Sequence, residues 1–147
     1  MARISCIFLL IAIVTGGCAD LYQIDLERKT LEAQNVRPQN YKSDLLAFMR
    51  TYLNNPDNVR NAAISEPQKL QIVDMERYAA CVRYDAKDSA SRYTGTKDRL
   101  AIFVSGKFDQ LIELTRTDAT SERLRPLRDY CAAAAYQPFP ELEKLRR

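Results

Sequence analysis

The stretch Arg77-Tyr78-Ala79-Ala80-Cys81-Val82-Arg83-Tyr84-Asp85-Ala86 decides the fold, because its pattern is typical of a β-strand with two different faces. Alternate side chains of a strand point to opposite sides of a sheet. One face therefore carries a set of apolar and aromatic side chains, namely Tyr78, Ala80, Val82 and Tyr84. The opposite face carries Cys81, a sulfur that a later part of the chain can reach.

Other short runs rich in Val, Ile, Tyr and Phe surround this strand in the sequence, namely Val59 to Ser65, Arg99 to Ser105 and Lys107 to Leu114. The pair Ser105-Gly106 joins the last two runs and predicts a tight hairpin, because glycine tolerates the positive φ that such turns require. The runs predict an antiparallel β-meander of about four strands.

An amphipathic helix is predicted before the first strand, with Ser43 or Asp44 as its N-cap. Apolar side chains recur there at the three- and four-residue spacing of one helix face, namely Leu45, Leu46, Phe48, Met49, Tyr52 and Leu53. Pro56 ends the pattern, because proline cannot continue the backbone ladder. We therefore predict an α+β fold in which this N-terminal helix packs on the meander.

The first residues of the chain have the pattern of an export signal. Arg3 gives it a positive charge, and Ile4 to Val14 is an apolar run of about eleven residues. This is the length of the apolar part of a secretory signal. It is shorter than the roughly twenty residues that span a bilayer. The stretch Val14-Thr15-Gly16-Gly17-Cys18 resembles the lipobox of bacterial lipoproteins. The resemblance implies cleavage before Cys18, a diacylglycerol thioether on its sulfur and a further acyl chain such as palmitate. An ordinary signal peptide with an incidental cysteine is the alternative.

The lipoprotein resemblance also predicts the domain organisation and the location. Residues 1–17 would be a removed signal peptide, residues 18–37 a lipidated tether with a short helical stretch from Asp25, and residues 38–147 a single α+β domain. The predicted location is the periplasm-facing bacterial cell envelope. The outer membrane is favoured over the inner, because Ala19 follows Cys18 where an Asp commonly signals inner-membrane retention in this class.

Cysteine usage agrees with an exported protein. Of the four cysteines, Cys6 would leave with the signal peptide and Cys18 would carry lipid. Cys81 and Cys131 remain, and an oxidising compartment favours a disulfide between them. A helix from Arg123 to Ala135, broken at Pro126, would bring Cys131 to the sheet, so that the C-terminal segment is tied by the disulfide. A catalytic or redox thiol is the alternative.

The absence of histidine limits the chemistry of the chain. Serine, cysteine and zinc hydrolases of the usual kinds depend on histidine, and neither a phosphate-binding glycine loop nor a calcium loop occurs. The sequence therefore predicts no catalytic residue, no metal and no cofactor, and we expect a protein that is not an enzyme. Carboxylate pairs such as Asp85 with Asp88, or Glu141 with Glu143, are the remaining alternative.

Two surface features are candidates for binding. The polar stretch Asp88 to Asp98 is long for a connection between strands and presents Arg92, Tyr93 and Lys97, an aromatic side chain beside cations. A set of basic residues near the end of the chain would face an anionic surface or remain a solvated face, namely Arg123, Arg125, Arg128, Lys144, Arg146 and Arg147.

The predicted partners are membrane lipid, through acylated Cys18, and an envelope protein or cell-wall polymer. After removal of Arg3 the chain has 21 Lys and Arg against 19 Asp and Glu, which is too balanced for a nucleic-acid partner. The oligomeric state is left open. The expected role is a non-catalytic interaction or envelope-maintenance function. The alternative is an inhibitor of a wall-degrading enzyme such as lysozyme, because membrane-bound lysozyme inhibitors are also small disulfide-bonded lipoproteins.

Overall fold

A computed structural model describes residues 24–30, 35–72, 75–114 and 121–146 of the chain. The chain divides into two units, Met1–Gln34 and Asn35–Arg147. In the first unit, residues 24–30 are helical (α1), and Asp25 forms ion pairs with Arg28 and Lys29 on the helix surface. The predicted lipobox and Cys18 lie outside the described residues. Among those residues, every helix is too short or too polar to cross a membrane.

The second unit is built around an antiparallel sheet. Its described strands are β1 (Arg60–Ser65), β2 (Gln68–Ile72), β3 (Met75–Asp85), β4 (Lys97–Val104), β5 (Lys107–Glu113) and β6 (Tyr136–Pro138). The strand order is β5-β4-β3-β1-β6, and β2 also pairs with β3. The α+β class is therefore confirmed, together with the predicted hairpin at Ser105-Gly106, which joins β4 to β5 and has positive φ at both residues.

The expectation of a four-stranded meander is wrong, because the sheet has six strands. Strand β2 was missed because most of its residues are polar, so that only Leu70 and Ile72 support a strand pattern. Strand β6 was missed because it has three residues and ends in Pro138, a residue that is confined to sheet edges. This strand pairs with β1, so the C-terminal segment joins the sheet directly as well as through the disulfide.

The predicted amphipathic helix is α2 (Tyr41–Tyr52), whose Leu45 and Met49 are buried. Its description as N-terminal is wrong, because it begins at Tyr41, after the helical residues of α1. The predicted N-cap is also displaced, since Ser43 lies inside the helix and its hydroxyl donates to the carbonyl of Asn40. Leu53 follows the last helical turn, and its N–H donates to the Met49 carbonyl.

Both faces of β3 are buried from Ala79 to Val82, with the two predicted faces covered by different layers. On one face, Ala80, Val82 and Tyr84 pack in a cluster with apolar side chains of α2 and with Phe139. On the other face, Ala79 and Cys81 pack with β4 and with Leu127 and Cys131 of α3 (Ser121–Ala133). Strand β3 is also central within the sheet, because β4 pairs with one of its edges and β1 and β2 pair with the other.

The predicted disulfide between Cys81 and Cys131 is confirmed, with the two Cα atoms 5.5 Å apart. Helix α3 continues through Pro126, so the predicted break at this proline is wrong. The disulfide closes a loop with a sequence separation of 50 residues. The theory of loop closure assigns such a cross-link about 4 kcal/mol of stability, a large share of the roughly 5–15 kcal/mol that holds a typical domain folded.

The last residues of the chain close the α2 face of the sheet. Phe139 is fully buried and is followed by the short helix α4 (Pro140–Glu143). The Ala62 carbonyl accepts from the N–H of Phe139 at 2.9 Å, and the Glu143 carboxylate accepts from the N–H of Ala62 at 2.9 Å. The Glu143 side chain therefore links α4 to the backbone of β1.

Strands β1 and β2 pair with successive parts of the same edge of β3. Ile64 lies opposite Val82, and Gln68 lies opposite Ala79. The chain leaves the ladder between these pairs, where the N–H of Cys81 would lack a strand partner. The buried Ser65 side chain takes the place of that partner, because its hydroxyl oxygen accepts from the Cys81 N–H at 2.9 Å.

Replacement of Ser65 with alanine tests this role. Ser65→Ala leaves the buried Cys81 N–H without an acceptor, and we expect the free energy of unfolding to fall by about 1–3 kcal/mol, measured by urea denaturation with the disulfide intact. The matched control is Ser89→Ala at an exposed serine, where we expect a change within about 0.5 kcal/mol. Equal stabilities of the two variants would contradict the assignment.

Candidate functional site

The loop between β3 and β4 is held by its own polar contacts. The Asp88 carboxylate accepts from the backbone N–H groups of Ala90 and Arg92, each at 2.9 Å, and the Asp88 N–H donates to the Arg92 carbonyl at 2.8 Å. The hydrogen bond from the Arg92 backbone lowers the pKa of the Asp88 carboxyl. The Arg92 side chain is exposed and forms an ion pair with Asp88 at 3.4 Å.

Tyr93 connects this loop to β1. Its hydroxyl donates to the Asn58 carbonyl at 2.8 Å, and the Arg60 guanidinium stacks on its ring, 3.6 Å from the ring centroid. Arg60 also donates to the buried Asp85 carboxylate at 2.9 Å. The contacts of Tyr93 are therefore those of a residue that fixes the loop.

A cleft lies where the loop meets the end of α2, and we call it the Arg99 cleft. Its cavity measures about 310 Å³, and it is lined by Tyr52, Asn54, Ala86, Lys87, Asp88, Thr94, Lys97, Arg99 and Glu113. The size is at the lower limit of small-molecule sites. Of the three predicted loop residues, Lys97 lines this cleft, whereas Arg92 and Tyr93 do not.

Arg99 is the buried cation of the Arg99 cleft, with 7% of the residue exposed. Its guanidinium stacks on the Tyr84 ring at 3.9 Å, and one terminal nitrogen donates to the Lys97 carbonyl at 3.2 Å. Its Nε lies 3.6 Å from a Glu113 carboxylate oxygen. Burial raises the pKa of the Tyr84 hydroxyl far above its usual range and that of Tyr52 in the same direction.

A second cleft opens on the α3 side of the sheet, at the same end of β3 and β4 as the Arg99 cleft, and we call it the Arg83 cleft. Its cavity measures about 590 Å³, and it is lined by Arg83, Thr96, Lys97, Asp98, Leu114, Arg128, Asp129 and Ala132. Arg83 makes two hydrogen bonds to the Asp98 carboxylate, at 2.7 and 3.1 Å. The Arg83 guanidinium also stacks on Tyr136 at 4.3 Å. Lys97 lines both clefts, so this one lysine lies at their shared border.

The residues that line the two clefts were largely missed by sequence reasoning. Arg83 and Arg99 were assigned to strands and were not marked as site residues. A signal was present for Arg83, which lies between Val82 and Tyr84 inside a strand, whereas Arg99 only precedes an apolar run that starts at Leu100. Such a cation is costly to bury without partners, so it indicates either a stacked ion pair or a site. Arg99 was not recognised because its aromatic partner Tyr84 lies on another strand.

Three of the four carboxylates considered as a catalytic alternative bind other groups of the protein, and the fourth is exposed. Asp85 pairs with Arg60, Asp88 caps its loop, and Glu143 binds the backbone of Ala62. Glu141 is exposed on α4. Among the described residues, no group of three or more acidic or cysteine side chains is arranged to hold a metal ion.

The predicted basic patch is divided between different environments. Arg123 and Arg125 are exposed on α3, and Arg125 forms an ion pair with Glu122 at 3.4 Å. Arg128 lines the Arg83 cleft and donates to the Leu114 carbonyl at 3.5 Å. Lys144 and Arg146 follow α4 and are exposed. Arg147 lies outside the described residues.

Comparison of the chain with protein-family models, with curated proteins and with solved structures finds no match.

The pKa of Tyr136 gives a test of the Arg83 cleft. Burial, followed by the Asp98 charge, raises the pKa of Tyr136 to about 12, and its hydroxyl donates to Asp98 at 3.3 Å. A raised folded-state pKa means that the contribution of Tyr136 to stability is complete below pH 10 and is lost as the pH rises towards 12. Between pH 10 and 11.5 the unfolding free energy of Tyr136→Phe should therefore fall less than that of the unchanged protein. The expected difference is up to about 1 kcal/mol, after allowance for solvent screening.

The measurement is urea denaturation at several pH values, with tyrosinate absorbance recorded on the folded protein. The comparison uses the slope of stability against pH, because the slope is unaffected by any constant cost of removing the hydroxyl. Equal slopes for the variant and the unchanged protein would contradict the assignment.

Proposed function

We propose that this chain is a lipid-anchored, non-catalytic binding protein of the bacterial cell envelope, and that it binds its partner at the sheet end that carries Lys97. The observation that carries the binding role is the meeting of two clefts at Lys97. The partner would be an envelope protein or a cell-wall polymer. The anchor rests on the lipobox resemblance of residues 14–18, and the outer membrane is the proposed site of attachment.

The non-catalytic role is supported by the hydrogen bonds that the carboxylates at this sheet end already accept. A general acid or base must be free to exchange a proton with a substrate. Asp88 accepts two backbone hydrogen bonds, and Asp98 accepts two from Arg83. Both carboxylates hold the loop and the strand in position, whereas the Lys97 ammonium group has no ion-pair partner among the described residues. A cation left available at the border of two clefts suits recognition of a partner better than catalysis.

Replacement of the predicted lipid-bearing cysteine tests the anchor. Cys18→Ser removes the thiol that lipidation requires, so we expect the protein to leave the membrane fraction or to retain its leader. Acyl labelling and membrane pelleting are the measurements, with Cys6→Ala, which changes a cysteine of the predicted signal peptide and leaves the disulfide intact, as the control for loss of a cysteine that carries no lipid. Unchanged pelleting and labelling of Cys18→Ser would overturn the anchor.

Site-specific cross-linking tests the binding surface. A photoreactive amino acid in place of Thr96, an exposed residue that lines the Arg83 cleft beside Lys97, should cross-link to an envelope partner in intact cells, and the same group in place of Lys107 is the control. Lys107 is an exposed lysine at the opposite end of the β4–β5 hairpin. Equal cross-linking at both positions, or none at position 96, would contradict the proposal. Inhibition of added lysozyme, lost on changing Lys97, would identify the partner as a wall-degrading enzyme.

A further inference from the structure

The Arg99 cleft contains more positive than negative groups that are available to a ligand. Lys87, Lys97 and Arg99 line it, together with the carboxylates of Asp88 and Glu113. Asp88 is occupied by the backbone N–H groups of its own loop. This leaves Glu113 as the other lining carboxylate, and the Lys87 and Lys97 ammonium groups have no ion-pair partner among the described residues. The Lys87 ammonium lies 5.3 Å from the centroid of the Tyr93 ring.

Glu113 is also an incomplete partner for Arg99. Its nearest oxygen is 3.6 Å from Arg99 Nε and 3.5 Å from the Tyr52 hydroxyl, so both contacts are longer than ordinary hydrogen bonds. Arg99 Nε is buried and has no hydrogen-bond partner among the described residues. The same holds for the buried hydroxyl oxygen of Tyr84, whose ring is stacked against Arg99.

The geometry of Arg99 favours an acceptor of defined chemistry. A guanidinium group carries donors and no acceptor, and the Tyr84 ring lies against that of Arg99, with its centroid 3.9 Å from the guanidinium carbon. Buried polar groups normally have hydrogen-bond partners. A ligand oxygen with negative charge would complete the hydrogen bonding of Arg99 and would pair with the two lysines. Carboxylate and phosphate oxygens have this chemistry.

We propose that the Arg99 cleft is an oxyanion site, which binds a carboxylate or phosphate group between Lys87, Lys97 and Arg99. The inference gives a ligand class to the binding role proposed above and rests on it. The cavity of about 310 Å³ holds such a group with a few further atoms, so the oxyanion would be one end of a larger molecule or a small free ion.

Titration of the full chain in detergent micelles tests the proposal. The probes are inorganic phosphate, acetate and sn-glycerol 3-phosphate, added to ¹⁵N-labelled protein while sodium chloride keeps the ionic strength constant. We expect saturable shifts of the backbone amide signals of Lys87, Lys97 and Arg99 with at least one probe. Shifts that grow linearly with all three probes, without saturation, would overturn the site.

Charge removal separates a built site from general attraction. In the double variant Lys87→Gln/Lys97→Gln we expect the dissociation constant to rise at least fivefold. The matched control, Lys69→Gln/Lys107→Gln, removes the same charge from exposed lysines outside the cleft, and we expect a change of less than twofold. All four lysines are outside the buried core, so the variants should keep the fold. Equal loss in both double variants would overturn the proposal.

The probes also distinguish the sources of the oxyanion. Tighter binding of sn-glycerol 3-phosphate than of phosphate indicates a lipid headgroup, equal binding indicates free phosphate, and binding of acetate alone indicates a carboxylate. The outcome is independent of the cross-linking test. A cross-link at position 96 without saturable titration means that a partner binds there without an oxyanion, and saturable titration without a cross-link means that the site binds a small ion alone.

Discussion

The burial of β3 on both faces is the constraint on which the rest of the second unit depends. Its even-numbered side chains need α2 and Phe139 as cover, and its odd-numbered side chains need α3. Helix α2 has a clear apolar face of its own, whereas α3 is less strongly amphipathic and contains Pro126. The disulfide from Cys81 to Cys131 attaches α3 to the centre of the strand, so a covalent bond supplements limited hydrophobic burial on that face.

The same arrangement explains where polar groups collect. At the C-terminal end of β3 the buried side chains change from apolar residues to Tyr84 and Asp85. The charges of Asp85 and Arg99 are accommodated there by Arg60 and by the Tyr84 ring. Clefts open on the α2 side and on the α3 side of this sheet end, and Lys97 at the start of β4 borders both.

The candidate site could be predicted only in part. The stretch that contains Lys97 was recognised because a long polar connection with an aromatic residue and cations is typical of binding loops. For Tyr93 the same pattern has a different cause, because its ring packs against the Arg60 guanidinium and its hydroxyl donates to the Asn58 carbonyl. Both partners are more than thirty residues away in the sequence. An aromatic residue that holds a loop and one that holds a ligand have the same local signature.

The amino-acid sequence by itself determined the α+β class, the two faces of β3, the helix that covers one of them, the β4–β5 hairpin and the cysteine pair. These features are local, since they follow from side-chain periodicity, turn chemistry and a count of thiols. Only the tertiary structure decided the six-stranded order, the addition of β6 to β1, the use of Ser65 as a substitute strand partner and the pairing of Arg99 with Tyr84. Each of these depends on which distant segments meet, and the physical reason is that backbone and charged groups leaving water take whatever partner the packed core brings within hydrogen-bonding distance.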